Sequence, residues 1–92
     1  MRYALRTDAN QTAVISALEA AGAVVEVVGK PVDLLVGIRG QFMLFEVKDG
    51  AKQKSRQALT PAQLKFFKKW EGFPIATVDG PEAALRALGC IK

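Results

Sequence analysis

The sequence predicts an α/β (α+β) fold, a mixed sheet flanked by helices in the order α-β-β-β-α-β-α. Three observations lead there. Two apolar runs of strand length, 31–38 and 42–48, flank a turn at Arg39-Gly40-Gln41, which is a hairpin signal. A β-branched run, Val24-Val25-Glu26-Val27-Val28, precedes them and makes a three-stranded meander. Two Pro-marked helix starts, at Pro61 and Pro81, bracket a further short strand.

The elements follow in order. Thr7 or Asp8 can cap a first helix from Ala9 to Ala21, where Val14, Ile15, Leu18 and Ala21 fall on one stripe. Gly22 is its natural stop. Gly29-Lys30-Pro31 ends the first strand, because Pro31 has no ladder donor. Residues 49–59 are polar and without period, so they read as a loop. Thr60 then caps the second helix, with Pro61 first and Gln63 at capping-box spacing. Leu64, Phe67 and Trp70 make its apolar stripe, and Phe66, Phe67, Trp70 and Phe73 read as core or dimer interface rather than a base-stacking platform. Pro74–Val78 is a fourth strand, placed to pair parallel with a meander strand through a crossover. Asp79 or Gly80 caps the last helix, which Gly89 ends.

Composition narrows the function. Ninety-two residues, half of them apolar, read as one domain over 1–92 with a modest core. A core of this size is often marginal alone, so a dimer is a reasonable expectation. The net charge of +4 is compatible with a polyanionic partner. With no histidine, imidazole acid–base catalysis and most zinc chemistry are excluded, which leaves hard cations on oxygen ligands. The lone Cys90 fits a reducing compartment. No signal-peptide core opens the sequence and no apolar run is long enough to span a bilayer, so a cytoplasmic location and no membrane partner are expected.

Three charges interrupt the hairpin: Asp33 where the first strand begins, Glu46 and Lys48 where the second ends. Residues i and i+2 of a strand share a face, and in a hairpin one strand's start lies beside the other's end. Two carboxylates and an ammonium can therefore converge. Asp33, Glu46 and the Val47 carbonyl could hold magnesium, and a metal-bound water could serve as nucleophile. Lys48 could position or deprotonate that water, or stabilise charge on a phosphorane. The bland alternative is an ion pair at a hairpin end. Downstream, Lys52, Lys54 and Arg56 form a basic arm or merely a solvated connector. Arg39 and Lys65 are weaker candidates for phosphate contact.

Taken together, Pro31-Val32-Asp33-Leu34-Leu35-Val36-Gly37, Phe45-Glu46-Val47-Lys48-Asp49-Gly50 and Leu59-Thr60-Pro61-Ala62-Gln63 resemble the PD-(D/E)xK nuclease superfamily. The closer resemblance is to its VRR-NUC branch, small phage and bacterial domains akin to Holliday-junction resolvases, and it covers nearly the whole chain. It implies a restriction-endonuclease-like core and a Mg²⁺- or Mn²⁺-dependent endodeoxyribonuclease acting as a homodimer in a bacterial cell or phage-infected host. Asp33 and Glu46 would be metal ligands, Lys48 the catalytic lysine and Gln63 a supporting active-site residue on the second helix. The pattern departs from the family in two places. Val32 separates Pro31 from Asp33, and the first helix has Ala13 where relatives carry an acid. Asp8, Glu19, Asn10 and Gln11 are the nearby polar residues.

The leading expectation is structure-selective cleavage of branched DNA, as in Holliday-junction resolution. The alternatives are a nuclease acting on flaps or ends, a non-catalytic DNA-binding module, and an interaction domain in which Asp33, Glu46 and Lys48 only pair with one another.

Overall fold

A computed structural model describes residues 9–48 and 59–91. Helix α1 (Ala9–Ala20) is followed by strands β1 (Val24–Val27), β2 (Leu34–Ile38) and β3 (Gln41–Val47). Then come helix α2 (Pro61–Lys69), strand β4 (Ile75–Val78) and helix α3 (Pro81–Ala87). The four strands form one mixed sheet in the order β1-β2-β3-β4, with β1, β2 and β3 antiparallel and β4 parallel to β3. The expected element order and mixed sheet are present. Among the described residues no helix is long and apolar enough to cross a membrane.

Local chemistry explains each boundary. Helix α1 stops at Gly22, whose φ of 96° suits a residue without Cβ. There the Ala23 N–H reaches back to the Leu18 carbonyl and the Gly22 N–H to that of Glu19, the Schellman pattern. The β2–β3 turn is tighter than the three-residue break suggests. Ile38 pairs with Gln41, leaving Arg39 and Gly40 as a two-residue loop with φ of 52° and 78°. Positive φ at both positions is what the right-handed twist of a hairpin asks of such a loop. Helix α2 begins with the full capping box: the Thr60 hydroxyl accepts from the Gln63 N–H, and Gln63 Oε1 accepts from the Thr60 N–H. At α3, Gly80 is the N-cap and makes no side-chain cap bond.

Strand alternation sorts the sheet into two faces. Leu34, Val36, Phe45 and Val78 point to one face, where they are buried against Val14 and Leu18 of α1 and Ala84 of α3. Burial of each such large side chain contributes about 1.5–3 kcal/mol. Residues one position along, among them Leu35, Phe42 and Glu46, point to the other face. Helix α2 lies on that second face, because Gln63 hydrogen-bonds Glu46 there.

Of the two readings of the α2 aromatics, core or dimer interface, the core one is not met. The Leu64–Phe67–Trp70 stripe does not enter the core of this chain. No residue of α2 is buried, and Leu64 is 56% exposed. The aromatics instead pack on one another, with Phe66–Trp70 and Trp70–Phe73 ring centroids 5.7 and 5.2 Å apart. The physical reason is topological: α1 and α3 already seal the face that carries the core.

Candidate active site

The site forms where β2 begins and β3 ends. The regular β2–β3 ladder closes at the pair Leu34–Phe45, and one step beyond it Asp33 stands across from Glu46. Asp33 is fixed by both its backbone and its side chain. Its N–H donates to the Phe45 carbonyl at 3.1 Å, and its own carbonyl accepts from the Val28 and Gly29 N–H groups. Its Oδ2 accepts from the Val47 N–H at 2.8 Å. The carboxylate thus stands in for a strand partner where the ladder stops.

Glu46 and Lys48 share a face as i,i+2 spacing requires, and Lys48 Nζ lies 3.2 Å from Glu46 Oε2. Gln63 completes the group from α2. Its Nε2 donates to Glu46 Oε2 at 2.6 Å, and its Oε1 accepts from Lys48 Nζ at 3.2 Å. That same Oε1 takes the Thr60 N–H of the capping box, so one side chain ties the helix start to the site. All four expected catalytic residues, Asp33, Glu46, Lys48 and Gln63, are brought together.

Glu46 is 5% exposed, an unusual position for a carboxylate. Burial, first, and the nearby Asp33 carboxylate, second, raise its pKa above the ordinary value of 4.5. The Lys48 hydrogen bond and charge, and the Gln63 amide, pull the other way. Such a pair of carboxylates, partly compensated by one ammonium, suits a hard cation. The bonds from Val47, Gln63 and Lys48 run to Asp33 Oδ2 and Glu46 Oε2, one oxygen of each carboxylate. Two acids and the Val47 carbonyl are a sparse donor set, compatible with magnesium because that ion keeps several waters. No group of three or more His, Cys, Asp or Glu able to hold a metal occurs among the described residues.

Compared with family models, with curated proteins and with solved structures, the chain matches none.

The other expected residues fall elsewhere. Arg39 sits in the turn at the far end of the hairpin. It is six residues from Asp33, or about 20 Å of strand. It is not part of the cluster. Lys65 is exposed on α2, two residues past Gln63. Lys52, Lys54 and Arg56 lie outside the described residues, as do Thr7 and Asp8.

The first helix brings no acid to the cluster among the described residues. Ala13 and Glu19 are exposed. Helix α1 covers the core face, whereas Glu46 points to the face under α2, so a side chain from α1 must reach past the strand ends. Asn10 does this through the main chain. Its Nδ2 donates to the Lys48 carbonyl at 2.7 Å and to the Asp79 carbonyl at 3.1 Å, joining α1 to the ends of β3 and β4. The Lys48 N–H meanwhile donates to the Val78 carbonyl, so the backbone of Lys48 is held on both sides. No local sequence pattern announces that role, because its partners are main-chain atoms 38 and 69 residues away.

Proposed function

We propose that the protein is a metal-dependent endodeoxyribonuclease of the PD-(D/E)xK type, VRR-NUC branch, hydrolysing phosphodiester bonds in branched DNA. The observation that carries this reading is the convergence of Asp33, Glu46, Lys48 and Gln63 at one end of the hairpin. Asp33, Glu46 and the Val47 carbonyl would hold Mg²⁺ or Mn²⁺. When bound, the ion supplies Lewis acidity and lowers the pKa of a coordinated water.

The chain's own groups then have distinct tasks. Gln63 orients Glu46 and Lys48 together through its two amide ends. Lys48 offers an ammonium to the scissile phosphate, where charge develops as the bond breaks. Asn10 holds the Lys48 backbone while this happens. Lys52, Lys54, Arg56 and Lys65 would contact phosphates near the cut, which positions DNA without reading sequence. Arg39 could meet only a duplex arm about six base pairs away, at 3.4 Å per step.

A homodimer is part of the proposal, and the open half of the second sheet face supports it. Val24 and Phe42 are 74% and 70% exposed there beside Leu35, an apolar patch of the kind that marks an interface. A two-fold pair of sites would suit a four-way junction, one protomer cutting each of two strands. A cytoplasmic location in a bacterial cell or phage-infected host goes with the same reading.

A second reading, a DNA-binding module without catalysis, is favoured by a first helix that brings no acid to the cluster among the described residues. Incubation with Mg²⁺ or Mn²⁺ on junction, flap, duplex and single-stranded DNA separates the two. Preferential nicking of the junction supports the nuclease. Turnover of flaps or ends alone moves the substrate class. Binding without turnover on every substrate leaves the binding module.

A further inference from the structure

A cleft of ≈ 580 Å³ lies beside the cluster, lined by Gly29, Lys30, Pro31, Thr60, Ala62 and Gln63. Its two walls are both attached to the candidate site. On one side, Gly29 donates its N–H to the Asp33 carbonyl at 3.2 Å. On the other, Gln63 donates Nε2 to Glu46 at 2.6 Å. The cleft therefore adjoins the cluster through Gln63, which lines it and bonds Glu46 and Lys48. Its volume is in the range that encloses a small organic ligand, too small for a double helix. Pro31 and Ala62 give it apolar walls suited to a sugar or a base face. Lys30 is exposed there, and neither ion pair among the described residues engages it.

We infer that this cleft seats one unpaired deoxynucleotide adjoining the phosphodiester held at Asp33 and Glu46, with Lys30 meeting its phosphate. The inference rests on the nuclease reading and deepens it. An enzyme that must place one unpaired nucleotide in a side cleft acts where base pairing is interrupted, as at a junction or a flap base, and acts poorly on continuous duplex. Selectivity for DNA structure would then arise from Lys30, Pro31 and Ala62 rather than from base-edge contacts.

The test is a titration of the full chain, in the presence of Mg²⁺, with a 5′-phosphorylated thymidine dinucleotide whose linkage is a non-hydrolysable methylenephosphonate, followed by backbone amide NMR. Shifts should concentrate at Gly29, Lys30, Ala62 and Gln63. Ala62 is exposed, so Ala62→Trp fills the cleft without touching the core. It should weaken dinucleotide binding by about tenfold or more and leave the melting temperature unchanged. Lys30→Ala should weaken binding and flatten its salt dependence by about one phosphate contact. On junction DNA both variants should raise KM about tenfold with kcat nearly intact. Shifts confined to other surfaces, or wild-type affinity in Ala62→Trp, would overturn the inference. If the wild type cuts junctions while the dinucleotide leaves the cleft unshifted, the cleft assignment fails alone. If the cleft binds the dinucleotide and no DNA is ever cut, the nuclease reading fails and the nucleotide site stands.

Discussion

Gln63 Nε2 donates to Glu46 Oε2 at 2.6 Å, while the oxygen of the same amide accepts from Lys48 and from the Thr60 N–H. The start of α2 and the charged end of β3 are thus joined through one side chain. Helix α2 has no buried residue, so this tie is a large part of what holds it on the sheet. Gln63→Glu separates the two roles. A glutamate still completes the capping box, but it sets a second carboxylate against Glu46. Cleavage should fall by more than about tenfold, with helix content by circular dichroism preserved. Gln63→Ala should lose cleavage and also about 1 kcal/mol of stability, measured by urea unfolding.

Asn10 is expected to matter out of proportion to its distance in sequence. Its amide satisfies two carbonyls at strand ends, those of Lys48 and Asp79. Asn10→Ala should cost about 1–3 kcal/mol in urea unfolding, since both acceptors lose a partner. Asn10→Asp should be worse despite equal size, because a carboxylate repels both carbonyl oxygens. Equal stability of Asn10→Asp and wild type would show that the amide donor is not what holds the Lys48 backbone.

Glu46 gives a pH signature with a definite sign. Its folded-state pKa is raised, chiefly by burial and then by Asp33. A raised carboxyl binds its proton more tightly in the folded chain than in the unfolded one. Its contribution is therefore fully present below the ordinary value of 4.5 and is lost as pH climbs through the raised folded value. Metal-free wild type should lose stability relative to Glu46→Gln over that interval, followed by thermal unfolding at stepped pH. Parallel curves for the two proteins would mean that Glu46 titrates as an ordinary surface carboxyl.

Metal should reverse that loss. A cation bound only by the folded chain stabilises it by about 2.7 kcal/mol when present at a hundredfold its dissociation constant. Manganese should raise the melting temperature of wild type at pH values where Glu46 is ionised and do little for Asp33→Asn, whose neutral amide lacks the charge that attracts and neutralises a cation. An equal rise in both proteins would place the cation elsewhere.

Much of the fold was legible because strand and helix chemistry is local. The Gly22 stop, the Thr60–Gln63 capping box and the hairpin turn near Gly40 are each set by residues within a few positions. Within the site, Glu46 and Lys48 could be paired from i,i+2 spacing alone, and Asp33 from the length of the hairpin. The exposure of α2 was not legible. Periodicity marks Leu64, Phe67 and Trp70 as one stripe but does not say whether a free sheet face awaits it, and α1 and α3 have taken the core face. Arg39 looked eligible as a phosphate contact only by charge; counting strand residues places it about 20 Å from Asp33. Asn10 bonds distant backbone carbonyls, and Lys30 lines a cleft between the β1–β2 loop and the start of α2; no window of sequence contains either relationship.

The most direct test is cleavage of a synthetic four-way junction by wild type and Lys48→Ala, with Mg²⁺ and with DNA binding measured in parallel. Removing the ammonium deletes a charge facing the developing phosphorane and should cost at least about a hundredfold in kcat. Junction affinity should change little, because a single charge among many phosphate contacts is lost. Metal-dependent nicking by wild type, abolished in Lys48→Ala at unchanged affinity, is the predicted result. Equal cleavage by the two proteins, or no cleavage by wild type, would contradict the assignment of Asp33, Glu46, Lys48 and Gln63 as a nuclease centre.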